Sequence, residues 1–218
     1  MFRNREAAGH ELAGKLKKRQ FQELLVLAIP RGGVVLGAVL APELRGELDI
    51  VLARKLRAPE QPELAIGAIS EAGHLYLNQS AEDTLLFRED YLSQERERQL
   101  AEIDRYKRLF RGSRPPALIA GRSVIVTDDG VATGSTLIAG LQTIKAQHPH
   151  ELIAAVPVID PEALVEVRHW CDEVVYLHCS ELWSIGQFYE DFSPVQDEQA
   201  LALLRHFAWP KSAEKVRF

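Results

Sequence analysis

Cysteine is scarce: Cys171 and Cys179 are the only two in 218 residues. Isolated thiols exclude a disulfide-stapled fold and offer no metal-ligand spacing. Two free thiols in a reducing compartment is the plain reading. Long apolar runs are missing as well, and none approaches the length of a membrane span. The opening residues, Met1-Phe2-Arg3-Asn4-Arg5-Glu6, lack the apolar core of a signal peptide, so the cytoplasm is the expected compartment. No charge of one sign dominates: 26 Lys and Arg against 31 Asp and Glu give a net charge of −5, with a pI near 5.8. Overall charge therefore gives no means of holding nucleic acid nonspecifically. No GxxxxGK[ST], GxGxxG or GxSxG motif occurs, which argues against a P-loop nucleotidase, a dinucleotide enzyme and a serine hydrolase. Internal repeats are absent too.

What remains is an ordinary globular composition, 46% hydrophobic and 26% charged, long enough for one α/β domain with a small appendage. Its most informative stretch is Val124-Ile125-Val126-Thr127-Asp128-Asp129-Gly130-Val131-Ala132-Thr133-Gly134-Ser135-Thr136. The β-branched run suits a buried parallel strand. Two carboxylates follow, then a Gly/Thr/Ser loop that opens a helix. Backbone N–H groups, three hydroxyls and a helix N-terminus make a phosphate the natural guest. Asp128 and Asp129 precede that guest, placed to accept hydrogen bonds from sugar hydroxyls. A phosphate site beside a diol site describes a ribose 5-phosphate.

This stretch resembles the signature of type I phosphoribosyltransferases: a hydrophobic strand, an acidic pair, then Ala-Thr-Gly and a hydroxyl residue. Two positions depart from it. Thr127 stands in place of the usual aliphatic residue, and Gly130 stands where many members carry Val or Ile. The resemblance covers about residues 22–180. It implies a mainly parallel, five-stranded, twisted sheet with helices on both faces, a lid hairpin and a small C-terminal hood. It also implies Mg²⁺ as a cofactor bridging pyrophosphate and ribose hydroxyls without direct protein ligands, and Asp128 and Asp129 on the ribose. Residues Val131, Ala132, Thr133, Gly134, Ser135 and Thr136 would hold the 5-phosphate.

Leu24–Ile29 is a short apolar run that fits a central strand. Pro30-Arg31-Gly32-Gly33 follows and leads into a helix through Val34–Leu40. Two glycines after a buried strand permit close approach of a ligand, and Arg31 adds a fixed positive charge. The turn is similar to the pyrophosphate loop of some purine-salvage members, which implies a pyrophosphate role for Arg31, Gly32 and Gly33. Leu48–Ala53 reads as the next strand, releasing Arg54, Lys55 and Arg57 at its end. Family members carry a mobile loop hereabouts, so the resemblance makes Arg54 and Lys55 the candidate lid cations, with Arg57 a solvated one. Glu63–Ile69 and His74–Leu77 read as a hairpin around Glu71-Ala72-Gly73, the expected lid. Residues 88–111 read as one long helix with i to i+4 ion pairs and a thin seam of Leu92, Leu100, Ile103, Tyr106 and Phe110. Its length fits either a prop for the lid or a dimer surface, and a homodimer is expected. The inserted lid and helix span about 56–116, and Gly112–Pro116 reads as a linker.

Leu152–Val158 and Glu173–Leu177 read as further core strands, with a helix from Pro161 to about Trp170 between them. His148 and His150 read as exposed loop histidines, lacking a third ligand. Residues 181–210 form the expected hood. An N-terminal helix, seen in the spacing of Ala8, Leu12 and Leu16, is a candidate addition to it. Trp183, Ile185, Phe188, Tyr189 and Asp191 are the acceptor candidates, loosely similar to the hood of purine phosphoribosyltransferases. The competing reading of that cluster is a hydrophobic plug. A helix is expected over Glu198–Phe207, and Lys211–Phe218 as a loose end.

The whole chain is thus expected to be a single domain, 1–218. It would transfer 5-phosphoribosyl from phosphoribosyl pyrophosphate to a small-molecule nitrogen acceptor, most readily a purine-like nucleobase. Neither membrane nor nucleic acid is an expected partner. The alternatives are a phosphoribosyl pyrophosphate sensor that binds nucleic acid, and an unrelated sugar-phosphate binder that reuses the anion loop.

Overall fold

The structure is a computed structural model that describes residues 1–59, 65–77, 89–112 and 115–207. The start of the expected lid hairpin, Ser113 and Arg114 of the linker, and the tail from Lys211 lie outside the described residues. In chain order, α1 (Arg5–Leu16) leads to β1 (Leu25–Ala28), α2 (Gly32–Glu43) and β2 (Glu47–Ile50). Next come β3 (Ala53–Arg57), β4 (Ala65–Ser70), β5 (Leu75–Leu77) and α3 (Glu89–Tyr106), which runs into a π-helical turn at Lys107–Arg111. The second half alternates strictly: β6 (Ser123–Thr127), α4 (Ser135–Lys145), β7 (Glu151–Ile159), α5 (Pro161–Arg168), β8 (Glu173–Cys179), then α6 (Asp197–Phe207).

The expected sheet is there: five parallel strands in the order β2-β1-β6-β7-β8. Every residue of β1 and β6 is buried, as both-face coverage demands of a parallel interior strand. Alternate residues feed two layers. On one face Val26, Ile125 and Ile153 meet Leu12 of α1, Leu36 and Leu40 of α2 and Leu204 of α6. On the other, Leu27, Val126 and Ala154 meet Leu137 and Leu141 of α4 and Ala163 and Val167 of α5. Local signals set the helix starts. Asn4 Oδ1 accepts from Ala7 N–H at 2.9 Å, and Asp160 Oδ1 accepts from Glu162 N–H at 2.9 Å just before Pro161, as N-caps do.

One expectation changes. Leu48–Ala53 is not a single strand. β2 ends at Ile50, and Ala53 begins β3 in a separate antiparallel sheet, β3-β4-β5. The apolar run continues through Val51 and Leu52, both buried at the bend, so hydrophobicity alone could not reveal the break. Arg54 and Lys55 therefore lie on a paired strand, opposite Ile69 and Ala68, and not on an open loop. The long helix α3 props this small sheet, with Ile103 and Phe110 buried in its seam. Arg111 bolts the sheet to the core. Its guanidinium reaches both Asp49 oxygens at 2.9 and 3.0 Å, both Glu71 oxygens at 2.7 Å and the Ile50 carbonyl at 2.8 Å. No helix among the described residues is long and apolar enough to cross a membrane.

Candidate active site

The strand order reverses between β1 and β6, since the chain continues from β1 to β2 on one side and from β6 to β7 on the other. Open α/β sheets hold their ligands in the crevice at such a point, outside the carboxyl ends of the strands. Both singled-out segments emerge there: Pro30–Gly33 from β1 and Asp128–Thr136 from β6. Ile29 N–H donates to Thr127 O at 3.0 Å and keeps the two strand ends level.

The two segments touch. A Cβ on Gly33 would come within 2.7 Å of Thr127 O and 3.0 Å of the Asp128 Cα, and one on Gly32 would run into the Asp129 carboxylate. Both glycines are thus required by the protein's own packing, apart from any ligand. The Pro30–Arg31 peptide is cis. Arg31 stands at the start of α2, and its half-exposed side chain meets Asp197 of α6 at 3.4 Å.

After β6, Val131 bridges back to β7. Its N–H donates to Val158 O and its carbonyl accepts from Asp160 N–H, each at 2.9 Å. Val131 therefore fixes the loop and does not offer its amide outward. Ala132 and Thr133 are exposed. Gly134 takes φ 75°, a left-handed conformation that glycine adopts without strain and that here turns the chain into α4. The first backbone bond of α4 runs from Ile138 N–H to Gly134 O. The amides of Ser135, Thr136 and Leu137 precede it and have no intrahelical partner. With the hydroxyls of Thr133, Ser135 and Thr136, they form an anion cradle, and the α2 N-terminus stands across the crevice from it.

The acids sit between these helix ends and differ from each other. Asp129 is largely enclosed: its carboxylate accepts from Arg5 Nε at 2.7 Å, and its carbonyl accepts from the Tyr189 hydroxyl at 2.6 Å. Asp128, like Asp129, is only partly accessible, and its Oδ1 accepts from Asp129 N–H at 2.9 Å. Loss of solvent, and then the neighbouring Asp129 charge, hold the Asp128 carboxyl well above the usual carboxylate range.

The expected cations are spread out. Arg54 donates to Gln99 Oε1 at 3.2 Å, lies 3.9 Å from Glu102, and lines a small cavity of about 40 Å³ with Pro30, Leu52, Tyr106 and Thr136. Arg54 thus opens toward the start of α4 at Thr136. Lys55, one residue along the strand, belongs to the opposite face of that sheet.

The hood aromatics divide. Tyr189 is buried, stacked on Phe192 at 4.8 Å and tilted against Phe2 at 5.3 Å, and burial raises its hydroxyl pKa. Ile185 packs over Gly130. Phe188 meets His178 at 5.7 Å. Asp191 accepts from the N–H and hydroxyl of Ser193. Trp183 is 95% exposed.

Arg5 is the residue that sequence reasoning missed at this site. It is a single Arg at the start of a polar helix, 124 positions from its partner, and nothing in the sequence marks it.

The chain is similar to known proteins over nearly all of its length. The profile of the phosphoribosyl transferase domain matches residues 2–193. Two Mycobacterium tuberculosis proteins, from strains CDC 1551 and H37Rv, are 34% identical over 205 residues, 94% of this chain, and carry the provisional name of phosphoribosyl transferase. The chain spans about half the length of these relatives, 46%. The crystal structure of TT1426 from Thermus thermophilus superposes with a TM-score of 0.85 at 39% identity, covering 95% of this chain and 99% of that one. AQ2163 from Aquifex aeolicus, 15% identical, shares the fold at a TM-score of 0.51, with 83% and 76% covered.

Proposed function

Because the chain belongs to the phosphoribosyl transferase family, we propose that it moves the 5-phosphoribosyl group from phosphoribosyl pyrophosphate to a nitrogen acceptor, most readily a purine-like nucleobase, and releases pyrophosphate. The observation that carries this reading is the convergence of two helix N-termini and the Asp128–Asp129 pair on the crevice where the strand order reverses. One cradle suits a 5-phosphate, the other a pyrophosphate, and the acids stand where the ribose between them would lie.

In the reaction, the bond from the anomeric carbon to pyrophosphate breaks, and pyrophosphate leaves with the electron pair. The acceptor nitrogen supplies the lone pair for the new bond, and its proton passes to water. Positive charge builds on the ring and negative charge on the leaving group, so catalysis is positional and electrostatic. The amides before Ile138, with the Thr133, Ser135 and Thr136 hydroxyls, would grip the 5-phosphate. Arg31 and the Gly32–Gly33 backbone would receive the pyrophosphate, which requires Arg31 to exchange Asp197 for the leaving group. Arg54 borders the phosphate loop, and Lys55 is the second lid candidate. The acidic pair would take the ribose hydroxyls and favour the cationic ring. Mg²⁺ fits this donor set, because a hard cation takes oxygen ligands and the acids, phosphates and hydroxyls at the crevice are all oxygen. Asp128 and Asp129 would hold the ion indirectly, and when bound it would neutralise pyrophosphate charge. Trp183, Ile185, Phe188, Tyr189 and Asp191 would supply the acceptor side, Ile185 from its place over Gly130. A cytoplasmic homodimer belongs to the same proposal.

The test is a pyrophosphate-release screen with phosphoribosyl pyrophosphate, Mg²⁺ and a panel of bases. Release with a purine is the expected result. Silence across purines and pyrimidines, with steeply salt-dependent binding to RNA or DNA, would replace the enzyme with a sensor.

A further inference from the structure

A second cavity lies behind the crevice. It measures about 170 Å³, close to the roughly 150 Å³ of an apolar cavity that admits benzene. Leu27, Ile50, Ile119 and Ile144 are buried and give it an apolar floor. The last turn of α4 forms one wall, at Thr143, and the β4–β5 turn forms another, at Glu71 and Ala72. Thr136, about 10 Å back along the same helix, lines the 40 Å³ cavity beside Arg54. Val51 and Leu52 line both cavities. The bend where β2 gives way to β3 is thus the partition between them. It is tied on both sides: Val51 N–H donates to Ala28 O at 3.1 Å, and Glu71 N–H donates to Leu52 O at 3.0 Å.

The polar lining of the rear cavity is already committed. Its charged groups among the described residues are Asp49, Glu71 and Arg111. Arg111 spends Nε and both terminal nitrogens on the two acids and the Ile50 carbonyl. Thr143 Oγ1 donates to Ala139 O at 2.8 Å. An ionised ligand would bury its charge there without a counter-charge, which is costly. Apolar walls of this size favour an uncharged ring. His74 and Gln147 stand exposed at the mouth, where one polar atom of such a ring would meet them.

We propose that the rear cavity is a second ligand site, for an uncharged molecule of single-ring size, and that its occupant opposes filling of the crevice through the Val51–Leu52 partition. The crevice-side cavity is small, so a guest beside Arg54 and Thr136 needs the bend to recede into the space behind it. A ring in the rear cavity takes that space. The bend leads directly into β3, so Arg54 is held with it. This coupling rests on the proposed function for the identity of the crevice ligand, whereas the site itself does not.

The experiment titrates the full chain with benzyl alcohol and follows the amide signals by NMR. Benzoate and benzylammonium serve as ionised rings of similar size. Benzyl alcohol is expected to bind with a Kd on the order of 1 mM and to move the Val51, Leu52 and Thr143 signals first. Thr143→Met fills part of the cavity from within and should weaken that binding about tenfold, by occupying the same space. Ala72→Trp covers the mouth from an exposed turn, and gives the same test if the first variant does not fold. Shifts confined to the hood, undiminished binding in the folded variants, or equal binding of the ionised rings would overturn the site. Calorimetry then reads the affinity for phosphoribosyl pyrophosphate with and without benzyl alcohol. A loss of about threefold or more is expected, and by linkage the donor should weaken the ring by the same factor. Equal donor affinity would overturn the coupling. If wild type binds no donor, the functional reading fails separately. The coupling is then read from the Arg54 Nε–H signal, which moves with ring binding if the partition transmits it and stays still if it does not.

Discussion

Ile185 of the hood covers Gly130 so closely that a Cβ at position 130 would overlap the Ile185 side chain. This contact accounts for a departure visible in the sequence, glycine where the family signature often has Val or Ile. The branched side chain comes instead from the hood. Gly130→Val should therefore destabilise the fold by about 1–3 kcal/mol, the usual cost of overpacking. Gly130→Val with Ile185→Ala should recover most of it, since the volume is moved back rather than added. Urea unfolding of the single and double variants measures both terms, and equal midpoints for the two would sink the idea.

The other departure, Thr127, has a different account. Its side chain is buried between Ala28 and Ala155 on the two neighbouring strands, and its hydroxyl has no hydrogen-bond partner among the described residues. A buried unpaired hydroxyl costs about 1–3 kcal/mol. Thr127→Val keeps the shape and removes that cost. It should raise stability by about 1 kcal/mol, read as a higher Tm, and an unchanged or lower Tm would show that the hydroxyl is satisfied.

How much of this was legible in the sequence depends on range. The parallel strands were readable because burial on both faces forces continuous apolar runs, as at Leu25–Ala28 and Leu152–Val158. The Asp128–Thr136 segment was readable because strand, acids and helix start are contiguous. The break at Val51–Leu52 was not, because apolar residues line a bend as well as a strand and only partner register separates them. The hood aromatics could not be divided into plug and surface, because Tyr189 and Trp183 differ only in what lies above them. Arg5 and Arg111 were invisible for the same reason: each is one basic residue among many until folding brings it to its acidic partners.

Arg111 shows what such a residue carries. Its side chain is 5% exposed and its two acidic partners, Asp49 and Glu71, are 19% and 17% exposed. Asp49 also accepts from Ala117 N–H at 2.8 Å, so the cluster ties β2, the β4–β5 turn and the segment leading to β6 together. Arg111→Met would leave two poorly solvated carboxylates facing each other. A loss of about 3 kcal/mol is expected, toward the lower end for a buried pair because the acids keep some solvent. Amide exchange should rise in β3–β5 before it rises in β1 and β6. Uniform acceleration across both sheets would mean that Arg111 does not serve as their bolt.

Asp128 sets a trade between stability and chemistry. In the folded chain its carboxyl sits well above the ordinary value of 3.8, through loss of solvent first and the Asp129 charge second. The unfolded chain has the ordinary value. Between the two, the native state binds a proton that the unfolded state has released, so stability is highest at low pH and falls as pH rises through the folded value. At neutral pH the fold bears the cost of charging this group. Asp128→Asn should therefore raise Tm near neutral pH, and the gain should vanish below the ordinary carboxyl value, where both side chains are neutral. The same substitution should lower turnover by about 100-fold or more, as removal of one transition-state contact does. Thermal scans across pH, paired with pyrophosphate release, test both halves. A variant less stable than wild type at neutral pH would mean that the Asp128 charge supports the fold, and full activity would remove it from the reaction.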